Sequence, residues 1–387
     1  MSDDSDFVNK RAVSGETMLS AIARQADLVG GAVDGVQSQV RRVVDEVAQR
    51  GIQSIYVTGC GDSLYAALAS RLAFDMHSGC RMEPVEALEF SRYIVGNISE
   101  RSAVIGVSAG GNKSRTIEAM RRARAAGALT IALTGKEGTA FARETDLAIH
   151  QNEADYRVPA PAGEGTFKIG NYVASIVSLY VVALDLGVST GRLDPGGHAT
   201  LVNEVRRAGT VISRTIQACA DPADRVAKAL RSTDGYHILG GGPSYATALF
   251  MAAKMFELPQ RHGVPVELEE WAHEQFFITR PGTQVIFIVP PGASRDRAHE
   301  LIRGAKAMGA HVTSICDSED LETQAISDTT CPIVGALPEE FSPLTYCVPG
   351  QLLATSLSRA LGNPAFKFIS NKQYETNVRL VAGSQIK

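Results

Sequence analysis

The sequence lacks the marks of several function classes. Its 387 residues include six cysteines, Cys60, Cys80, Cys219, Cys316, Cys331 and Cys347. None forms a CxxC pair, and no histidine stands at finger-like spacing from two of them. No structural zinc site or other metal is therefore expected, and reduced thiols in a cytoplasmic protein are. The formal net charge is -4 and the pI is near 6.1, with no concentrated basic segment, which argues against a nucleic-acid partner. The opening, MSDDSDFVNK, has neither the basic region nor the apolar region of a secretory signal. The longest apolar stretch, Tyr172–Gly187, reads as too short and too interrupted to span a bilayer. No membrane partner is expected.

Apolar residues, by contrast, make up 44% of the chain, enough for full cores in two or three domains. Residues 15–50 read as helical: Ser14 and Glu16 precede an apolar-periodic run, and Val40, Val43, Val44 and Val47 recur at helical spacing before Gly51. The stretch QSIYVTG then reads as a strand, followed by the glycine turn GCGDS and a helical run.

That order recurs. Gly59, Gly61 and Ser63 correspond to Gly240, Gly242 and Ser244 at an offset of 181. SAVIGVSAGGNKSRT, from Ser102, matches TQVIFIVPPGASRDR, from Thr283, at the same offset. RAAGA and KAMGA follow at an offset of 182, each before a further strand. A whole βαβαβ unit is duplicated. Alternating strands and helices imply two tandem α/β domains, each a parallel sheet sandwiched by helices in a flavodoxin-like three-layer arrangement. The expected organisation is a helical segment over 1–50, domains over 51–200 and 225–362, and a tail over 363–387. The stretch STGRLDPGGHATLVNE reads as the linker. Ligands of such sheets lie beyond the carboxyl ends of the strands, where both glycine turns fall.

In the first turn, Gly61, Asp62 and Ser63 stand where a helix begins. Amides and a hydroxyl there can hold an anion, or the glycines can simply permit a tight turn that Ser63 caps. Position 64 is leucine, so the dinucleotide pattern GxGxxG is broken and no nicotinamide or other cofactor is expected. The second turn packs Gly110 and Gly111 with Ser108, Asn112 and Lys113, the donors a phosphate or carboxylate uses, although a solvated loop has the same composition. Its counterpart carries Pro290 and Pro291, which have no amide to donate. Lys254 and Glu257, three apart on a mostly apolar helix, read either as a surface ion pair or as a buried acid–base pair. Glu267, Glu269, Glu270 and His273 surround the single tryptophan, Trp271. Thr166 and Lys168 lie in a glycine-rich stretch that reads as a loop over a pocket or as a plain lead-in to a helix.

The duplicated halves, the GCGDS and SAGGN turns and the EEWAHEQ stretch resemble double sugar-isomerase (SIS) domain proteins. The isomerase half of glucosamine-6-phosphate synthase and the fructosamine-6-phosphate deglycases are the relatives the pattern is similar to. The resemblance implies a phosphosugar isomerase, acting on an amino-sugar or ketose phosphate by ring opening and C1–C2 proton transfer. It equally allows a deglycase of fructosamine-type adducts, or a non-catalytic sugar-phosphate binder. No cysteine stands at position two, so glutaminase activity is not expected. The resemblance assigns Ser63 to a phosphate-contacting turn, with Asp62 in place of a threonine. It assigns Ser108 to an SxSGxT loop in which Gly110 and Lys113 replace two hydroxyl residues. Thr166 and Lys168 fall in a Ser-Thr-Lys loop. Lys254 and Glu257 match an active-site lysine and the proton-shuttling glutamate, and His273 a ring-opening histidine supplied by a neighbouring subunit. A homodimer is thereby implied.

Overall fold

The computed structural model describes residues 12–151, 170–233 and 235–386. They form two compact units: an amino-terminal one of residues 27–151, 170–206 and 368–386, and a carboxy-terminal one of 12–26, 207–233 and 235–367. Thr166 and Lys168 lie outside the described residues.

The long helix α1 (Gly15–Gln49) carries the valine stripe read from the sequence, and Val40, Val43, Val44 and Val47 are all buried. The amino-terminal sheet follows, with β1 (Ser54–Gly59), β2 (Arg81–Glu86), β3 (Ser102–Val107), β4 (Leu129–Thr134) and β5 (Leu147–His150). All neighbours are parallel, in the order β2-β1-β3-β4-β5. Every residue of β3 and β4 is buried, because helices cover both faces; a continuous apolar run replaces the alternation of a half-exposed strand. Helix α2 (Asp62–Ala73) packs against α4 (Gly170–Ser189) on one face, and α3 (Ser114–Ala125) packs over Phe90, Val104, Ala132 and Phe141 on the other.

Helix α5 (Pro195–Leu230) precedes the carboxy-terminal sheet. Its strands are β6 (Gly235–Gly240), β7 (His262–Glu267), β8 (Gln284–Val289), β9 (His311–Asp317) and β10 (Thr329–Ile333). The order β7-β6-β8-β9-β10 repeats the topology of the first sheet. Helices α6 (Pro243–Glu257), α7 (Leu268–His273), α8 (Arg295–Ala307) and α9 (Pro343–Leu361) belong to this unit, and α10 (Asn371–Ala382) belongs to the amino-terminal one.

The duplication reaches individual atoms. Gly61 has φ 57° and ψ -130°, and Gly242 has φ 54° and ψ -129°; both are helix N-caps with positive φ, which glycine adopts without a Cβ clash. Glu86 and Glu267 each cap the next helix by accepting from two amides. The Asp146 carboxylate accepts from the Thr130 amide, and Asp328 from Val312. Arg124 pairs with Asp146 as Lys306 pairs with Asp328.

Two expectations are corrected. The Gly/Pro stretch read as a linker is mostly the first turns of α5: Pro195 sits where no amide partner is needed, and Asp194 Oδ1 accepts from the Gly197 amide at 2.9 Å. The apolar run at 172–187 is part of a 20-residue helix, long and apolar enough by length and composition to cross a membrane. Most of that helix is buried inside the structure, and its apolarity is that of a central core element.

Candidate functional site

In a 2-1-3-4-5 sheet the chain leaves the first strand to one side and the third to the other. A crevice therefore opens beyond the carboxyl ends of those two adjacent strands. In the amino-terminal unit that crevice lies between the turn 59–63 after β1 and the loop 108–113 after β3. Gly59 lets α2 approach the strand: a Cβ there would lie 2.6 Å from Ser63 Cβ and 3.0 Å from the Val107 carbonyl oxygen.

The 108–113 loop is shaped as an anion nest. The Gly111 amide donates back to the Ser108 carbonyl at 3.0 Å, and the Gly135 amide donates to the Ala109 carbonyl at 3.0 Å. Gly111 has φ 62°, and a Cβ on it would strike the Thr139 side chain at 2.6 Å. Among the described residues, the amides of Ala109, Gly110, Asn112 and Lys113 reach no acceptor. The Ser108 hydroxyl, 2% exposed, has no partner either. The Lys113 side chain is exposed at the mouth, and Lys113 is the N-cap of α3. Four free N–H groups, a hydroxyl, a helix N-terminus and a lysine make a place where negative charge is favoured.

Across the crevice, the Cys60 thiol donates to Glu86 Oε1 at 3.2 Å and lies 4.0 Å from Thr116 Oγ1. Burial, reinforced by the Glu86 carboxylate, pushes this thiol up to about 11, so it stays protonated near neutral pH. At the edge of the unit, Arg115 of α3 donates to Ser384 Oγ at 3.1 Å and to the Gln385 carbonyl, which fixes the end of the tail. Among the described residues no group of three or more His, Cys, Asp or Glu side chains stands together where it could hold a metal ion.

The carboxy-terminal unit holds the second set of predicted residues. Lys254 Nζ donates to Glu257 Oε2 at 2.5 Å, on the inner face of α6. The lysine side chain is only 4% exposed and also stands over the Phe250 ring at 4.8 Å, whereas the glutamate side chain is 37% exposed. A buried cation thus presents a half-exposed carboxylate. His273 is placed elsewhere. Gly263 lies among Ile238, Ala252 and Met255, which puts α6 on the Ile238 face of the sheet. Leu239, Trp271, Phe287 and Ile302 form a core on the other face, which carries α7 and α8. The sheet therefore stands between Glu257 and His273 within one chain. His273 itself is 71% exposed, with Nε2 at 3.3 Å from Glu269 Oε1, and Glu269 is held in turn by Arg297.

A family model for the SIS domain matches residues 48–181 and 230–358. The chain belongs to the SIS domain family. It is 27% identical over 349 residues to the glutamine–fructose-6-phosphate aminotransferase (isomerizing) of Thermococcus kodakarensis, covering 89% of this chain and 55% of that protein. It is 27% identical over 323 residues to the Corynebacterium diphtheriae protein of the same name, covering 82% and 50%. The chain thus spans about half the length of the curated relatives it matches. Among solved structures, the C-terminal domain of glucosamine-fructose-6-phosphate aminotransferase from Francisella tularensis superimposes with a TM-score of 0.80 at 15% identity, covering 91% of this chain and 98% of that one. Glucosamine-6-phosphate deaminase from Thermotoga maritima gives 0.67 at 17% identity, covering 91% and 97%. These two likenesses show the fold.

In both SIS copies the sequence pattern located the turns but missed their supports. Thr139, wedged against Gly111, and Glu86, which takes the Cys60 thiol, carry no motif of their own. The offset of 181 between Glu86 and Glu267 was the one available signal for the latter.

Proposed function

We propose that this SIS protein is a phosphosugar isomerase that moves a proton between C1 and C2 of an amino-sugar or ketose phosphate. The observation that carries this reading is the Lys254–Glu257 pair. A carboxylate half open to solvent is held by a lysine that the apolar helix keeps almost wholly buried. Such a carboxylate is fixed in position to take a proton from the carbon beside a carbonyl or imine. The ammonium supplies positive charge where an enediolate or enolamine develops. The nest at 108–113, with Gly61, Asp62 and Ser63, holds the anionic end of the substrate, and Thr166 and Lys168 complete the binding set. Relatives named for fructose 6-phosphate and glucosamine 6-phosphate support this substrate class.

His273 opens the sugar ring. Since the sheet separates it from Glu257 in its own chain, a second copy supplies it and the working form is a homodimer. The two SIS copies, about 51–200 and 225–362, act with no metal or organic cofactor, because enolisation needs only an acid, a base and charge stabilisation.

The test is proton exchange in D2O. With fructose 6-phosphate or glucosamine 6-phosphate as substrate, the wild-type protein is expected to introduce deuterium at C1 or C2, followed by NMR. Glu257→Gln, which keeps an acceptor for Lys254, is expected to fold normally and to lose about a hundred- to ten-thousand-fold in exchange rate. Wild-type exchange in that variant would show that another group is the base.

A further inference from the structure

Directly below the nest, on the α3 face of the amino-terminal sheet, lies a polar cluster over two successive rows of the sheet that the sequence did not announce. Strand register places Thr58 beside Gly106, and Thr134 beside His150. The ladder continues past β3, with the Ser108 amide donating to the Leu133 carbonyl at 2.9 Å, so Ser108 is the neighbour of Thr134. Side chains alternate along a strand, and Tyr56, Val104, Ala132 and Ala148 pack in the α3 core. Thr58, Ser108, Thr134 and His150, each two residues further on from one of these or from Gly106, point to that same face at the carboxyl edge.

Thr58 and Thr134 are 0% exposed and Ser108 is 2% exposed. Thr58 Oγ1, Ser108 Oγ, Thr134 Oγ1 and His150 Nδ1 are all buried, and among the described residues none has a hydrogen-bond partner. Leaving one buried polar atom unsatisfied costs about 1–3 kcal/mol, and a bound polar ligand that paired with these four would remove that cost.

The duplicated copy shows what the fold itself requires at these positions. There the register pairs Leu239 with Phe287, Val289 with Cys316, and Cys316 with Pro332. Leu239, Phe287, Val289 and Cys316 form part of one dry core. Leu239, Val289, Cys316 and Pro332 correspond to Thr58, Ser108, Thr134 and His150 by the offsets of 181 and 182. The same architecture is thus stable with apolar residues at the equivalent places. Only the copy that carries the nest has exchanged them for hydroxyls and an imidazole.

We propose that Thr58, Thr134 and His150 are a hydroxyl-reading subsite: they bind the polyhydroxylated part of the same ligand whose anionic end the 108–113 nest holds. This rests on the reading of that nest as the anion site and adds what the nest does not provide, recognition of the sugar chain. Both threonines can donate to and accept from a sugar hydroxyl, and the imidazole offers a ring nitrogen. The subsite predicts a ligand that is a phosphorylated sugar or polyol and not a bare or aryl phosphate.

Calorimetric titration with two probes, inorganic phosphate and fructose 6-phosphate, tests it on wild type, Thr58→Val, Thr134→Val and Lys113→Ala. The valine variants keep the shape of threonine and lose its hydroxyl. Each is expected to bind fructose 6-phosphate about five- to tenfold more weakly, with unchanged affinity for inorganic phosphate and no fall in melting temperature without ligand. Lys113→Ala is expected to weaken both probes. If neither valine variant changes fructose 6-phosphate binding, or if both probes weaken equally, the subsite is refuted while the nest stands. If Lys113→Ala leaves both affinities at the wild-type value, the nest reading fails on its own. A wild-type protein that binds neither probe overturns both.

Discussion

At the scale of single residues, the electrostatics of two groups follow from their surroundings. Lys113 is exposed beside four free amides, so its charge acts through a partly solvated site. Its removal is expected to weaken fructose 6-phosphate binding more strongly at low ionic strength than at high, because salt screens an exposed charge. Titrations at two salt concentrations check this; equal losses would place the lysine outside the anion's reach. His237 sits inside the carboxy-terminal core, where its Nδ1 accepts from Trp271 Nε1 at 3.0 Å. Burial holds its pKa below the ordinary value of 6.5. The folded protein therefore keeps a neutral ring where the unfolded chain would take up a proton. Stability is fully present above pH 6.5 and declines as pH falls below it, by up to about 1.4 kcal/mol per pH unit for this one group. Denaturant melts followed by the fluorescence of the single tryptophan should show the decline. His237→Phe should flatten it by about one proton, and an unaltered slope would assign the pH dependence elsewhere.

At the scale of elements, the two glycines with positive φ in the crevice differ in what surrounds them. Gly61 has nothing within 4 Å of where a Cβ would lie, so Gly61→Ala meets only the backbone strain of φ 57° with ψ -130°, a cost of about 1–3 kcal/mol. Gly111→Ala meets the same kind of strain and in addition the Thr139 side chain at 2.6 Å. The loop must shift to accept it, and the nest loses its shape. Both variants are expected to fold, with Gly111→Ala losing phosphate affinity by an order of magnitude or more and Gly61→Ala losing less. The reverse ranking, measured by calorimetry, would mean that the first turn and not the second forms the anion site.

At the scale of the whole molecule, the separation of Glu257 from His273 by a sheet makes a prediction about mixtures. If each active centre takes Glu257 from one chain and His273 from another, Glu257→Gln and His273→Ala are each inactive alone. A mixed dimer has one intact centre, so randomly reassociated subunits are expected to recover about a quarter of wild-type activity. Subunits unfolded and refolded together and then assayed provide the measurement. No recovery from dimers shown to be mixed would place both groups in one chain's site, or remove the histidine from the mechanism.

What the sequence alone determined is what local chemistry and repetition dictate. The duplication, the parallel sheets and the two glycine turns follow from alternating apolar runs and from Gly59, Gly61, Gly240 and Gly242 at fixed offsets. Lys254 and Glu257 were legible because a helix brings residues three apart together wherever it is placed. The local form of the connecting stretch and the length of the apolar helix were misread for a related reason: composition reports a tendency to bend or to avoid water, and packing decides whether that tendency becomes a turn, a helix start or a core. Only the tertiary structure could bring Thr58, Ser108, Thr134 and His150 to one sheet face at the carboxyl edge, since they lie on or just past four strands spread over some ninety residues of chain. Only it could set a sheet between Glu257 and His273. Both are matters of strand order and sheet face, fixed by hydrogen-bond register and burial across distant segments, and no window of neighbouring residues contains them.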